Sequence, residues 1–174
     1  MTGGAGDITS VLVLSDTHLS DPGRLPSAVF ELAEQADHII HAGDHSTLDL
    51  VHVLARFAPV TAVHGNVDAP DVYAQLPEQG IVSVGPMTIG VRHIAGDAHG
   101  RHERLAAWMP GCDVRVYGHT HAPEVALLAD GTWVMNPGSP TQRRRAPFHS
   151  VGWVCAKSGV ITAEIVQIDH GQVR

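Results

Sequence analysis

Five short polar clusters carry the chemistry of this sequence, and each one follows an apolar run. Their donors are carboxylate and amide oxygens and imidazole nitrogens; the clusters are Asp16-Thr17-His18, Gly43-Asp44, Gly65-Asn66-Val67-Asp68, His93 and Gly118-His119-Thr120-His121. Donors of these types, without thiolates, fit manganese, iron, zinc, nickel or cobalt. Their order along the chain predicts one active-site rim fed by several strands. Two metal ions at that rim would favour phosphate-ester hydrolysis.

The spacing within the clusters supports a shared metal site. In an extended segment, residues i and i+2 point the same way, so Asp16 and His18 can reach one ion. His119 and His121 have the same spacing and can serve one ion or two adjacent ions. These pairs therefore predict ligands delivered two at a time from strand ends.

Asp44 and Asn66 have different expected roles. The carboxylate of Asp44 follows a short turn and is suited to bridging two ions. The amide of Asn66 is a neutral ligand, so it leaves the site with a positive charge that attracts a phosphate. A third carboxylate at position 66 would cancel that attraction.

The first half of the chain predicts a parallel β-α-β-α-β unit that positions the first three clusters. Short apolar runs predict strands, and apolar residues at helical spacing predict helices; the strands cover 8–14, 38–41 and 60–63, and the helices cover 26–35 and 48–57. Ligands of such sheets gather beyond the carboxyl ends of the strands. The first three clusters lie there.

The second half predicts further strands with tight turns and one helix. The strands cover 81–84, 87–93, 114–117, 125–128, 133–135, 151–156 and 161–168, and the helix covers 101–109. We therefore expect a mixed α/β fold of two packed mixed β-sheets flanked by helices, a four-layer αββα sandwich. We also expect residues 1–174 to form a single domain.

Composition excludes several classes of protein. The 174 residues are 44% hydrophobic and 17% charged, which excludes disorder. A formal net charge of −7 argues against a nucleic-acid or membrane-binding face. Cys112 and Cys155 are predicted to be small buried hydrophobes rather than a disulfide or thiol site. The chain shows no signal peptide or membrane span, because the first apolar run is too short, so we expect a cytoplasmic protein.

On these motifs the sequence resembles the calcineurin-like metallophosphoesterase superfamily. The short length, the Gly-Asn-x-Asp form and Asn136-Pro137-Gly138-Ser139 are most similar to its small YfcE-like phosphodiesterase branch, which also contains the retromer subunit Vps29. The resemblance implies one ion held by Asp16, His18, Asp44 and His121. It implies a second ion held by Asp44, Asn66, His93 and His119. Manganese is the favoured metal, with nickel, iron, zinc or cobalt as competitors.

One departure from the superfamily pattern concerns the leaving group. The broad superfamily has histidine in the third position of this motif, and here that place is Val67, which has no proton to donate. Besides Asp44 and Asn66, the catalytic residues would then include a general acid supplied by His45 or His99. A supporting or solvent role is the alternative for both histidines. Asp68 is expected to orient its loop by accepting backbone hydrogen bonds.

A second departure follows His93, where His93-Ile94-Ala95-Gly96-Asp97 replaces the His-Gly of many relatives and is expected to shape the site entrance. His41 and His64 are expected to support the site by hydrogen bonding. Arg143-Arg144-Arg145 could grip a substrate phosphate, but a solvated charge run explains it equally well. The other histidines are expected at the surface: His38, His52, His102, His149 and His170.

The sequence thus predicts a metal-dependent phosphodiesterase that hydrolyses small phosphodiesters with a hydroxide shared by two ions. Without a strong general acid, diesters with good leaving groups should react faster than alkyl monoesters. One alternative is a non-catalytic protein-binding scaffold like Vps29. The other is a nuclease, against which the acidic charge counts. The sequence leaves a homo-oligomer open.

Overall fold

The computed structural model describes residues 8–169 and 172–173. The predicted surface position of His170 and the reading of the first seven residues lie outside these ranges. Eleven strands are described within them: β1 Ile8–Leu14, β2 His38–His41, β3 Val60–Ala62, β4 Gln79–Val84, β5 Met87–Arg92, β6 Val114–Val116, β7 Glu124–Leu127, β8 Trp133–Asn136, β9 His149–Lys157, β10 Val160–Asp169 and β11 Gln172–Val173. The helices there are α1 Ser27–Ala33, α2 Leu48–Leu54, α3 Pro70–Gln75, α4 Arg101–Trp108 and a 3-10 turn at Pro22–Arg24.

The first sheet, sheet A, joins the two halves of the chain. Its strand order is β11-β10-β9-β1-β2-β3. β1, β2 and β3 are parallel, with Leu12 opposite Ile39 and Ile40 opposite Thr61. β9 runs antiparallel to β1 on its other side. The predicted parallel unit is therefore present, and antiparallel strands from the end of the chain extend it.

The second sheet, sheet B, is also mixed. Its order is β4-β5-β6-β8-β7, with β5, β6 and β8 parallel and an antiparallel strand at each edge. The carboxyl ends of its three parallel strands lead to His93, to the 118–121 cluster and to Asn136. Both sheets thus deliver polar residues from the ends of parallel strands.

Three apolar cores define four layers. Alternate residues of β1 explain the division, because Leu12 and Leu14 pack with α1 and α2, whereas Val11 and Val13 face sheet B. A third core between sheet B and α4 contains Leu105, and Cys112 is buried there as a free thiol. The order is helices, sheet A, sheet B, helix. The predicted αββα sandwich is confirmed.

The differences from the predicted elements are local. Helix α3 was not predicted because Val72 is its one buried residue, so no apolar periodicity marks it. Helices α1 and α2 are shorter than the predicted 26–35 and 48–57, since both close in tight turns after Ala33 and Leu54. Strand β4 begins two residues before the predicted 81, at Gln79. No helix in residues 8–169 or 172–173 is long and apolar enough to cross a membrane.

Candidate functional site

The five polar clusters meet where strands of both sheets end. The sequence predicts extended backbone at the 16/18 and 119/121 pairs and a short turn at residue 44. The structure places five of the donors in the left-handed region, with φ between 47° and 70°: Asp16, His18, Asp44, His119 and His121. Residues other than glycine rarely adopt this conformation, and they persist in it only where the surroundings hold them. The backbone hydrogen bonds Asp16 N to Gly43 O and His18 N to Asp44 O provide such restraint, at 3.0 and 2.9 Å.

The first donor group consists of Asp16, His18 and His121. The Nε2 atoms of the two histidines lie 3.2 Å apart, and His121 Nε2 lies 3.2 Å from Asp16 Oδ1. His18 Nε2 lies 3.9 Å from the same oxygen. The two rings stack with centroids 5.1 Å apart. Three ligand atoms from the two sheets therefore converge on one point.

The second donor group consists of Asn66, His93 and His119. Asn66 Oδ1 lies 3.1 Å from His93 Nε2 and 2.8 Å from His119 Nδ1. His93 is buried, whereas Asn66 and His119 are exposed. This half of the cluster is thus the side that is open to solvent.

Asp44 lies between the two groups. Its Oδ2 is 3.7 Å from His18 Nε2 and 3.3 Å from His93 Nε2. Its Oδ1 accepts hydrogen bonds from the amides of Asn66 and Val67, at 2.8 and 3.0 Å. One carboxylate oxygen is therefore fixed by the backbone, and the other faces both donor groups.

The separations fit two groups of metal ligands. Two ligands about 2.1 Å from one ion lie about 3.0–3.4 Å apart in octahedral or tetrahedral geometry, and most of the distances above are close to that range. The ligand atoms of Asp16, His18 and His121 all lie within 4.8 Å of one another, as do those of Asp16, Asp44 and His93. Asp16 Oδ1 is buried with no hydrogen-bond partner among the residues that the structure describes. A bound cation would satisfy this oxygen, so the donor set fits divalent ions.

Contacts behind the rings select the nitrogen that each one presents. Nδ1–H of His93 donates to the Ala42 carbonyl at 2.7 Å, and Nδ1–H of His121 donates to the Gln142 carbonyl. Nε2 of both rings therefore faces the cluster, where its lone pair would bind an ion once any proton on it has left. His119 presents Nδ1 instead. Such partners behind a ligand orient the ring and raise its basicity.

The Asp68 carboxylate organises the loops from behind. It accepts the backbone N–H groups of Asp44, Ser46 and Gly65, at 3.1, 2.8 and 2.6 Å. The predicted orienting hydrogen bonds of Asp68 are therefore present. A Cβ at Gly65 would lie 1.9 Å from Asp44 Oδ1, so only glycine allows this approach.

Charges inside the cluster shift the pKa values of its members. Burial works against ionisation of Asp44, yet its hydrogen bond to His93 and the charge of that ring hold the pKa of Asp44 well below its ordinary value. Burial would also lower the pKa of His93, but the hydrogen bond to Asp44 and the charges of Asp16 and Asp44 raise it. Burial lowers the pKa of His18 despite the same two carboxylates. The Asp44 carboxylate is thus ready to bind a cation.

Two further histidines lie inside the protein beside the cluster. His41 Nε2 contacts Thr17 Oγ1 at 3.1 Å, and its ring lies 3.9 Å from that of His45. His45 is completely buried, and its Nε2–H donates to the Val63 carbonyl at 2.8 Å. The prediction that His45 protonates a leaving group is therefore not supported, because the ring has no surface towards a substrate. Burial and the neighbouring His45 lower the pKa of His41, which fits its predicted supporting role.

The loop that follows His93 contains the other proposed acid. His99 is exposed, and no contact within the described residues joins its ring to the cluster. The Arg104 side chain holds this loop through the carbonyls of Ala95, Asp97 and His99. His64 lies behind the Asn66 turn, where its Nδ1 contacts the Gly65 carbonyl at 2.9 Å.

The loop after β8 contributes contacts that sequence reasoning missed. Ser139 Oγ donates to the Asp16 carbonyl at 2.8 Å, and Thr141 Oγ1 donates to the Thr17 carbonyl at 2.6 Å. The Gln142 carbonyl holds His121, as described above. The motif Asn136-Pro137-Gly138-Ser139 marks this loop in the sequence, but nothing there identifies Thr141 or Gln142.

Two cavities flank the same loop. The larger, about 650 Å³, begins at His18 and is lined by Arg24, Arg143 and His149 among others. The smaller, about 530 Å³, is lined by Thr120, Ala122, Pro123, Arg144, Arg145, Ala146, Pro147 and Phe148. Both border residues of the donor groups or their immediate neighbours, so a ligand there would be next to the cluster.

Comparison with known proteins identifies relatives. The calcineurin-like phosphoesterase superfamily domain matches residues 10–158. A probable metallophosphoesterase of Methanocaldococcus jannaschii is 39% identical over 145 residues, which cover 80% of this chain and 71% of that protein.

Two solved structures share the fold. Vps29 of Entamoeba histolytica complexed with Zn²⁺ has a TM-score of 0.75 and 22% identity, covering 95% of this chain and 96% of that one. A protein described as a novel archaeal phosphodiesterase has a TM-score of 0.68 and 20% identity, covering 90% of this chain and 99% of that one. At such identities the similarity establishes the fold alone.

Proposed function

The chain belongs to the calcineurin-like phosphoesterase superfamily, and we propose that within it this protein is a metal-dependent phosphodiesterase acting on small phosphodiesters. The observation that carries the proposal is the pair of donor groups joined by Asp44 Oδ2, together with the buried Asp16 Oδ1, which has no hydrogen-bond partner within the described residues. Two carboxylates, an amide and four imidazoles are more than a binding surface needs. They are a set of donors for two divalent ions, with manganese favoured.

The proposed division of the ligands is the one that the resemblance implies, and the two donor groups support it. Asp16, His18, Asp44 and His121 would hold one ion, and Asp44, Asn66, His93 and His119 would hold the other. Divalent ions held there supply an activated water and offset the charge of the phosphate. The chain's own residues fix the ligand geometry, since Asp68 holds the Asp44 turn and the Gln142 carbonyl holds His121.

The preference for diesters with good leaving groups follows from the rim of the site. Val67 is 57% exposed beside Asn66, and its backbone N–H is engaged by Asp44 Oδ1. Its side chain has no proton to give, and buried His45 does not replace it. His99 stays a candidate acid, which a His99→Ala variant tests by its rate on alkyl esters.

The test is hydrolysis of a matched panel in manganese, with bis(p-nitrophenyl) phosphate, p-nitrophenyl phosphate and an alkyl monoester. We expect the aryl diester to react fastest. A Val67→His variant should then raise the rate on the alkyl monoester relative to the aryl diester by about 10-fold, since it adds a possible proton donor. Equal rates of the wild-type protein on aryl and alkyl esters would contradict the missing-acid argument.

The similarity to Vps29 favours one other function, a protein-binding scaffold. Metal content alone does not separate the two functions, because that Vps29 structure is itself complexed with Zn²⁺. Turnover does separate them. A protein that binds two ions but hydrolyses no ester in manganese, nickel, iron, zinc or cobalt would be a scaffold.

A nuclease would use the same chemistry on a polymer. The net charge of −7 opposes the phosphate contacts that a polymer needs. Activity on small diesters that is insensitive to salt, without cleavage of single-stranded DNA, supports the small-substrate proposal. The cytoplasmic location, the single domain over 1–174 and a homo-oligomer stay predictions.

A further inference from the structure

The three consecutive arginines after β8 differ in their surroundings. Arg143 is engaged, because its Nη1 donates to the Ala146 carbonyl at 2.7 Å, and it lines the larger cavity. Arg144 and Arg145 are both exposed and both line the smaller cavity. Within the described part of the chain, the guanidinium groups of Arg144 and Arg145 make no hydrogen bond or ion pair. Two unengaged cations therefore border one cavity.

Backbone geometry distinguishes Arg144 from Arg145. Arg144 has a φ of 48°, the left-handed conformation that it shares with the metal-binding candidates of the cluster. The chain just before it is anchored, since Thr141 is bound to the Thr17 carbonyl and the Gln142 carbonyl holds His121. The direction in which Arg144 leaves the loop is thus set by contacts to the cluster. Strained conformations of this kind gather at functional sites.

A shared cavity places Arg144 beside the loop that carries ligands of both donor groups. His121 belongs to the first donor group and His119 to the second. Thr120, which shares the smaller cavity with Arg144, lies between His119 and His121 in the chain. Arg144 therefore borders a cavity that adjoins the loop between the two groups.

We propose that Arg144 is the substrate-binding arginine, and that its guanidinium grips the phosphate oxygens from the side opposite the metal-binding residues. The inference rests on the proposed phosphodiesterase function and deepens it. A guanidinium forms paired hydrogen bonds to a phosphate and stays charged at every physiological pH. It therefore offsets phosphate charge without donating a proton, and so it leaves the dependence on the leaving group unchanged.

The activity test compares Arg144→Ala with Arg145→Ala, which removes the same charge from the same cavity. With bis(p-nitrophenyl) phosphate in manganese, Arg144→Ala should lower kcat/KM by about 10- to 100-fold, the loss expected for a charged hydrogen-bonded contact. Arg145→Ala should stay within about two-fold of the wild type on the same scale. Arg144→Lys should recover part of the loss, since it restores the charge but not the paired hydrogen bonds.

Two further measurements exclude a purely structural role. Calorimetric binding of inorganic phosphate to the manganese-loaded protein should weaken in Arg144→Ala but not in Arg145→Ala, with equal manganese content in both. Arg144→Gly removes the strain along with the side chain, so its Tm should equal the wild-type value or exceed it by about 2 °C while activity falls. A structural arginine would instead lower the Tm when removed.

The outcomes separate this inference from the proposed function. Equal kcat/KM and equal phosphate binding in the two alanine variants would overturn the role of Arg144 while leaving the phosphodiesterase in place. If the wild-type protein hydrolyses no ester, the proposed function fails, and the phosphate-binding measurement alone then tests the role of Arg144. Weaker phosphate binding in Arg144→Ala would still support phosphate binding by this arginine, and unchanged binding would contradict it.

Discussion

The two ends of the sheets use the left-handed region of the backbone in different ways. We call the end where the polar clusters meet the site end, and the opposite end, with the turns between antiparallel strands, the hairpin end. At the hairpin end, the turns before β5, β8 and β10 place Gly85, Gly131 and Gly159 there, and Ser158 joins Gly159 in the last of these turns. At the site end, aspartates and histidines occupy the same region: Asp16, His18, Asp44, His119 and His121. Glycine enters this region freely, whereas other residues enter it at a cost of about 1 kcal/mol or more.

The difference shows where side chains are indispensable. A turn at the hairpin end needs only a change of direction, and each of the three turns has a glycine that gives it without strain, although Ser158 also has a positive φ. The site end needs a carboxylate or an imidazole at the same φ, so strain is kept and neighbouring loops hold it in place. The interlocking bonds Asp16 N to Gly43 O and His18 N to Asp44 O do this.

The most direct test of this difference keeps the backbone conformation of Asp44 and removes its charge. Asparagine tolerates the left-handed region, so Asp44→Asn should fold with φ unchanged. Activity should fall at least about 1,000-fold, because the oxygen that faces both donor groups loses its charge. The ratio of bound manganese to protein should fall too. Steady-state kinetics and metal analysis measure both effects.

The matched control for Asp44→Asn is Asp49→Asn, an exposed position in α2. It should keep full activity and metal content. Wild-type activity in Asp44→Asn would show that the carboxylate between the donor groups is dispensable, and would remove the basis of the dinuclear assignment.

A second test adds a Cβ at each end. At Gly65 it would lie 1.9 Å from Asp44 Oδ1 and 2.3 Å from the Asp44 backbone nitrogen, so the loops must move apart. We expect Gly65→Ala to lose metal binding and about 3 kcal/mol of unfolding free energy, the upper end of the usual range for an overpacked site. At Gly131 nothing lies within 4 Å, so Gly131→Ala should cost about 1 kcal/mol from φ alone and leave activity intact. Denaturant unfolding compares them, and similar losses would contradict the distinction.

A third test relieves strain at the site end. His18 has a φ of 47°, so His18→Gly should unfold at a higher temperature than His18→Ala in the metal-free protein. The expected difference is about 1 kcal/mol, or about 2–4 °C in Tm. Both variants lack the imidazole, so only the backbone differs between them. Thermal unfolding in a chelator measures the difference, and a lower Tm for the glycine variant would show that φ at residue 18 is unstrained.

The smallest effect concerns pH at the hairpin end, where His38 begins β2. Its Nε2 contacts Thr61 Oγ1 at 2.9 Å, and burial lowers its pKa below the ordinary value of 6.5. The folded protein therefore binds this proton more weakly than the unfolded chain. Stability is unaffected above about pH 6.5 and declines as the pH falls below it, by less than about 1.4 kcal/mol per pH unit. His38→Gln should flatten that decline in chelator-treated protein, and an identical pH profile would contradict it.

The sequence was sufficient for the strands and for the meeting of the clusters, because apolar runs mark both sheets and parallel strands end on one side. It was insufficient for the backbone conformation of the ligand loops. Asp16 and His18 can converge on one ion with either extended or left-handed backbone. The residue type between them does not indicate which of these conformations is adopted. Helix α3 escaped prediction for a related reason, since its six residues bury one side chain.

The roles of the histidines depend on contacts far apart in sequence. His45 and His99 look equivalent in the sequence, since both lie close to the motifs. In the structure His45 is buried and donates to the Val63 carbonyl, whereas His99 is exposed. The nitrogen that His121 presents is set by Gln142, twenty-one residues later. Such pairings arise from the packing of complete sheets, so local patterns carry no signal for them.

On the side away from β2, β1 pairs with β9, and Val11 lies opposite Val154. During synthesis this edge of β1 therefore stays unpaired until a strand about 140 residues later emerges, and such a separation favours slow folding. The Ser139 hydroxyl donates to the Asp16 carbonyl across a similar separation in sequence. A nascent chain stopped before β9 displays every polar cluster, yet it leaves one edge of β1 unpaired. The segment that carries Asp16 is thus completed by contacts from the second half of the chain.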